Sequence, residues 1–201
     1  MTRIGNDEMS AMRAEVYRWL AGVFAREPTA AMLAGYRSPE GRGVLLRLAE
    51  MEPLGEGAAG LLAMVNDETD LEAMAFDLAG TYARLFLGAG GPSAVSPYES
   101  VHTSPERRLF QQATTDMERL LAEYGLSVAG APEPADHIAV ELEFLAELIL
   151  AGETALERRL LDEHLLRWAP AFCDACIERD ATGYYAAAAR MLRGMLEIDA
   201  A

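Results

Sequence analysis

The chain has 201 residues, of which 51% are hydrophobic, so a full core is available and disorder is not expected. Its 17 basic residues, all arginine, face 32 acidic ones, for a net charge of −15. A field this acidic makes nucleic acid a poor ligand, because phosphates need a positive surface, and it suits a basic partner. No apolar run reaches the ~18 residues of a membrane span. The opening MTRIGNDEMS lacks the basic-then-apolar layout of a signal peptide. Two cysteines make no disulfide scaffold, and the whole predicts a soluble cytoplasmic protein.

Helical spacing runs through the chain, and no stretch alternates as a strand would. Met9, Met12, Val16, Trp19, Leu20, Val23 and Phe24 predict a long helix, opened by Asn6 or Asp7 and stopped before Pro28. Ser38-Pro39 caps a helix reaching about Glu50, and another covers residues 57–65. Thr69 and Glu72 form a capping box ahead of the stripe Leu71, Met74, Leu78, Tyr82, Leu85 and Phe86. Residues 88–105 carry no helical pattern and read as a long ordered loop. Thr103 and Glu106 box a helix through Leu109, Ala113, Met117 and Leu120 to Tyr124. After a second loop, Pro134 opens a helix that ends at Gly152. Thr154 and Glu157 box the next, as far as Trp168. Pro170 restarts a short helix to Ile177, and the last runs over residues 182–198. The expectation is an all-α, single-domain helical bundle of eight or nine helices spanning residues 1–201.

Charge is uneven. Between Arg119 and Arg158 there is no basic residue, yet the span holds Glu123, Glu133, Asp136, Glu141, Glu143, Glu147, Glu153 and Glu157. On the helix expected over 134–152, Ile138, Leu142, Leu145 and Ile149 share the core face. Asp136, Glu143 and Glu147 fall opposite, on a solvated face, with Asp136 in the first turn where an acid suits the macrodipole. His137 and Glu141 stand at i and i+4 on the flank of the core, where a carboxylate needs a partner and His137 is one candidate.

Other constellations read as packing. Cys173 and Cys176 form a CxxC with no βαβ context and no full set of zinc ligands, so two small buried residues are expected. His164 and Trp168, also at i and i+4, read as a packed pair. A helical enzyme using His137, His164 and the two cysteines is the competing reading, from metal or redox chemistry.

Three segments carry a resemblance. The first is Tyr82-Ala-Arg-Leu-Phe86 with Gly88, Gly90 and Ser96-Pro97-Tyr98-Glu99-Ser100-Val101. The second is Glu133-Pro134-Ala135-Asp136-His137-Ile138 with Glu141-Leu142 and Phe144-Leu145. The third is His164-Leu165-Leu166 with Trp168, Pro170 and Phe172. In this order they resemble the TorD/DmsD family of cytoplasmic chaperones, also called redox enzyme maturation proteins. The nitrate reductase chaperone NarJ is a more distant relative. The resemblance implies no catalysis and no cofactor of the chain's own. It implies a partner, the precursor of an iron-sulfur molybdoenzyme, often bound at its twin-arginine leader and held until molybdopterin is inserted. The chaperone itself would be a monomer or homodimer. The family's Asp-His pair, linked to leader binding, maps onto Asp136 and His137, and the loop motif onto Tyr98, Glu99 and Ser100. Glu133 and Glu141 stand beside them. Tyr98 departs from the tryptophan of many members and keeps an aromatic ring there. A leader is basic and then apolar, so its binder needs carboxylates beside an apolar groove.

Overall fold

The computed structural model describes residues 2–65, 68, 70–128, 130 and 132–200, with side chains from residue 8 onward. The expected all-α class is found. Eleven α-helical segments are delimited among the described residues, and they group into two compact units.

The first unit joins residues 1–25 to residues 97–169. Its long helix α1 (Thr2–Ala25) starts upstream of Asn6 and buries Ala14, Tyr17, Leu20, Val23 and Phe24, while Met9 stays half exposed. That face packs along α8 (Ile138–Ala151), which buries Ile138, Leu142, Leu145 and Ile149 as their spacing predicts. Ion pairs flank the seam. Arg13 reaches Glu157 at 2.7 Å, and Arg18 reaches Glu147 at 3.1 Å and Glu143 at 3.4 Å. The solvated acids of α8 therefore share their face with an arginine from α1.

The unit also holds α6 (Glu99–Thr103), α7 (Gln112–Glu123) and α9 (Thr154–Leu160). A π-helical turn, Leu161–Leu165, leads from α9 into α10 (Leu166–Arg179). Pro170 does not restart a helix; it lies inside α10. Having no N–H, it leaves one turn carbonyl without its usual donor, and the wide turn lies directly upstream of that defect.

The second unit holds residues 26–96 and 170–201. It contains α2 (Ala30–Arg37), α3 (Pro39–Ala49), α4 (Gly55–Val65), α5 (Leu71–Phe86) and α11 (Tyr184–Ala200). Ser38 caps α3 through the Gly41 N–H, with Pro39 in the first turn as expected. The box proposed on Thr69 lies outside the described residues; Asp70 caps α5 by accepting from the Glu72 N–H. α11 packs on α4 at Gly57, where a Cβ would come within 2.6 Å of the Ala187 carbonyl oxygen, so only glycine fits. Tyr82, Phe86, Phe172 and Tyr185 form an aromatic cluster with ring centres 5.2–6.0 Å apart.

Three other expectations change. The 88–105 loop contains α6. The Thr103–Glu106 box does not exist, because Thr103 ends α6 and α7 begins only at Gln112; Leu109 consequently stands 40% exposed. Thr154 is the first residue of α9 rather than its cap, and Glu157 bonds Arg13.

Candidate functional site

The 97–99 segment is zipped to residues 136–138 by a short antiparallel bridge. The Glu99 N–H donates to the Asp136 carbonyl at 2.9 Å, and the Ile138 N–H donates to the Pro97 carbonyl at 2.8 Å. This bridge, rather than a helix face, brings the first two sequence segments together. Pro134 opens no helix, and α8 begins at Ile138. Asp136 therefore lies before the helix and not on its solvated face.

Asp136 is fully buried. Its carboxylate accepts the Ser100 N–H at 2.9 Å and the Thr114 hydroxyl at 2.8 Å. Tyr98, the N-cap of α6, offers no side-chain acceptor, so Asp136 caps that helix from 36 residues away. The Ser100 hydroxyl lies 3.1 Å from that of Thr114 and accepts the Gln111 N–H at 3.2 Å, which ties the start of α7 to the same network. Every polar atom of this knot is spoken for, as burial demands.

His137 is the N-cap of α8. Its Nδ1 accepts the Ala139 N–H at 3.1 Å, so the ring is neutral on that nitrogen. Burial pushes its pKa below the usual histidine value, against the opposing pull of Glu133 and Asp136. The ring meets Tyr98 edge-on at 4.9 Å. The Tyr98 hydroxyl donates to Glu133 at 2.7 Å, and both residues are half-buried.

Glu141 is fully buried and does not pair with His137. Its Oε2 accepts the Trp168 indole N–H at 3.1 Å. Burial first, then the nearby Glu99 charge, raises its pKa well above the ordinary glutamate value. Glu99, also buried, meets Nδ1 of His164 at 2.6 Å, the ring N–H donating. His164 is thus a partner of Glu99 rather than a ring packed on Trp168, whose neighbour is the His102 ring at 5.1 Å. The π-helical turn carries His164.

All seven residues expected at the site, Tyr98, Glu99, Ser100, Glu133, Asp136, His137 and Glu141, lie in this one region of the first unit. Thr114, His164 and Trp168 complete it. The third segment of the resemblance carried His164 and Trp168, whereas nothing in the sequence marks Thr114.

An open cleft of about 490 Å³ reaches this region, with Glu99 and His164 among its lining residues and Asp116, Glu123 and Glu163 among its acids. Two of those acids hold arginines: Asp116 holds Arg119, and Glu123 holds Arg159, each at 2.8 Å. Among the described residues no group of histidines, cysteines and acids has metal-site geometry. Cys173 and Cys176 lie in the second unit, both buried, and burial raises both thiols above the ordinary range. No helix among the described residues is long and apolar enough to cross a membrane.

Comparisons with known proteins identify the family. A family model described as the nitrate reductase delta subunit matches residues 49–174. The TorD chaperone protein of Aliivibrio salmonicida is 36% identical over 93% of this chain and 92% of its own. That of Vibrio cholerae is 33% identical over 95% and 91%. A solved structure from Archaeoglobus fulgidus, described as a redox enzyme maturation protein, aligns over 92% of this chain and 94% of that one, with a TM-score of 0.55 and 27% identity. The chain therefore belongs to the nitrate reductase delta subunit family, among its TorD-like redox enzyme maturation proteins, and it is a chaperone rather than an enzyme.

Proposed function

We propose that this chaperone works in the cytoplasm on the precursor of a molybdopterin oxidoreductase, binding its twin-arginine leader and delaying export until the cofactor is inserted. The observation that supports the reading is the cleft beside the Tyr98–His137 bridge, where the acids Asp116, Glu123 and Glu163 alternate with Arg119, Arg159 and Arg167 above the Glu99–His164 pair. Leader arginines pair with its carboxylates through their planar fork. Asp116 and Glu123 give up Arg119 and Arg159 readily, because exposed pairs are worth only about 0–1 kcal/mol. Asp136, Ser100, Glu141 and Glu99 are buried and act from beneath, by fixing the segment that presents Tyr98. Tyr98 and Glu133 are accessible enough for direct contact.

Calorimetric titration of a twin-arginine peptide tests this reading. Glu163→Gln combined with Glu133→Gln should weaken binding by about tenfold, since a charge-assisted contact is worth about 1.5–3 kcal/mol. Added salt should weaken it further. Glu153→Gln, outside the cleft, is the control. Equal affinity in all variants would place the leader elsewhere.

A further inference from the structure

The walls of the cleft are two helical edges of the first unit. On α7, Gln112, Asp116, Arg119 and Glu123 recur at steps of three and four residues and so share one edge. The other edge carries Arg159, Glu163 and Arg167 at uniform steps of four. An ideal α-helix turns about 40° too far over each such step, which would carry Arg167 round and away from Arg159. The π-helical turn at Leu161–Leu165 lies between them, and its wider winding takes up the drift. All three residues therefore line the cleft. On the inner side the buried Leu160, His164 and Trp168 keep the same step.

The two edges run antiparallel. Near one end the Ser100 hydroxyl accepts the Gln111 N–H, and the adjacent Glu99 bonds His164, so the start of α7 stands beside the π-helical turn. At the other end Nη1 of Arg159 reaches both carboxylate oxygens of Glu123 at 2.8 Å. In that order Glu123 faces Arg159, Arg119 faces Glu163, and Asp116 faces Arg167, so opposite charges stand across the cleft at every rung. Among the described residues only the Glu123–Arg159 rung is closed. Arg119 instead bonds Asp116 along its own edge at 2.8 Å, and Arg167 donates to the Glu163 carbonyl at 3.3 Å.

We propose that Arg159 is the gate of this cleft: from the facing wall it occupies the carboxylate that a leader arginine takes, so a leader binds by exchanging its guanidinium for the chain's own. Glu123 is singled out because its arginine crosses the cleft, whereas the Asp116–Arg119 pair lies along one wall and bars nothing. The displaced group has a second acid within reach. Glu163 stands one turn along from Arg159, and after the Glu123 hydrogen bond the charges of Glu123 and Glu163 both raise the Arg159 pKa. Exchange leaves the number of ion pairs unchanged, so salt weakens the bond broken as much as the bond made. It also lowers affinity in proportion to the share of molecules whose Glu123 is held. For an exposed pair this is about a two- to fivefold effect.

This inference rests on the leader reading above, and the experiment separates the two. A twin-arginine peptide is titrated by calorimetry into the full chain at low and at high salt. Arg159→Gln should bind it about two- to fivefold more tightly than the parent at low salt, and its affinity should fall more steeply as salt is added. Arg158→Gln is the control. It removes the same charge one residue away, from a guanidinium that bonds Asp162 at 2.6 Å and does not line the cleft, and it should bind like the parent. Once Glu123→Gln has removed the carboxylate, adding Arg159→Gln should bring no further gain. Arg159→Gln that binds no more tightly than Arg158→Gln overturns the gate and leaves the leader reading standing. A gain that persists in the Glu123→Gln chain also overturns it, because the effect would then be one of overall charge. Binding by Arg159→Gln and not by the parent supports both the gate and the leader reading, and binding by no chain overturns both.

Discussion

Trp168 donates its indole N–H to Oε2 of Glu141 across 3.1 Å, and both side chains are buried. The other oxygen, Oε1, finds no donor among the described residues. Burial, and after it the nearby Glu99 charge, favour a carboxyl that keeps its own proton there. The Trp168 bond joins α8 to α10, and the charge of Glu99 couples both to the segment that lines the cleft.

Stability should follow that proton. Glu141 has a raised folded-state pKa, so above the ordinary glutamate value of about 4.3 the unfolded chain releases a proton that the folded chain keeps. This group's contribution is fully present below that value and is lost as pH rises through the raised one. Glu141→Gln keeps an acceptor for Trp168 with nothing to ionise. Urea unfolding should show the substituted chain gaining on the parent between about pH 4.5 and pH 7.5. An equal offset at both pH values would mean that Glu141 is ionised in the folded chain.

His137 works in the opposite direction. Its folded pKa is lowered, so below the ordinary histidine value of about 6.5 the unfolded chain binds a proton that the folded chain refuses. Its contribution is present above that value and is lost as pH falls. His137→Asn keeps a capping acceptor and should remove this acid sensitivity. His137→Ala should cost about 1 kcal/mol at neutral pH through loss of the cap. Thermal melts across this pH range decide it; acid sensitivity unchanged in His137→Asn would point to another group.

Asp136→Asn should destabilise the fold as well as the site. It replaces one acceptor oxygen with a donor facing either the Ser100 N–H or the Thr114 hydroxyl. A cost of about 1.5–3 kcal/mol is expected for a buried group losing one charge-assisted bond. Leader affinity should fall along with the order of α6. Amide exchange at Ser100 gives the direct reading, and protection unchanged there would exclude the cap.

Cys173 and Cys176 should behave as filler. Neither should react with a thiol reagent until the chain is denatured, because burial raises both pKa values and removes access. Replacing both with alanine should leave leader affinity unchanged. Loss of binding in a folded double variant would reopen the chemistry of the pair.

The long helices were legible because their apolar residues repeat every three or four positions. α8 showed its core face in Ile138, Leu142, Leu145 and Ile149 without help from the structure. α2 and α6 were not legible. At eight and five residues they are too short for a stripe to repeat, although Thr29, which caps α2 through the Met32 N–H, was a readable sign. The site residues were legible as a set but not as a geometry. Asp136 reads as a surface acid on its own, because the donors that bury it stand 22 and 36 residues away. Glu141 looked paired to His137 because spacing along one helix is visible in a sequence, while a tryptophan 27 residues on is not.

The first unit is built from the two sides of a long insertion, and this sets a schedule for its synthesis. α1 leaves the ribosome early, but the helix that covers it, α8, comes more than a hundred residues later. At about 5–20 residues per second the interval is on the order of ten seconds. Throughout it, Tyr17, Leu20, Val23 and Phe24 have no native surface to meet, while residues 26–96 of the second unit are already being made. A chaperone for other chains thus begins life with its own longest apolar face exposed, and its first folding problem is to shelter that face until α8 appears.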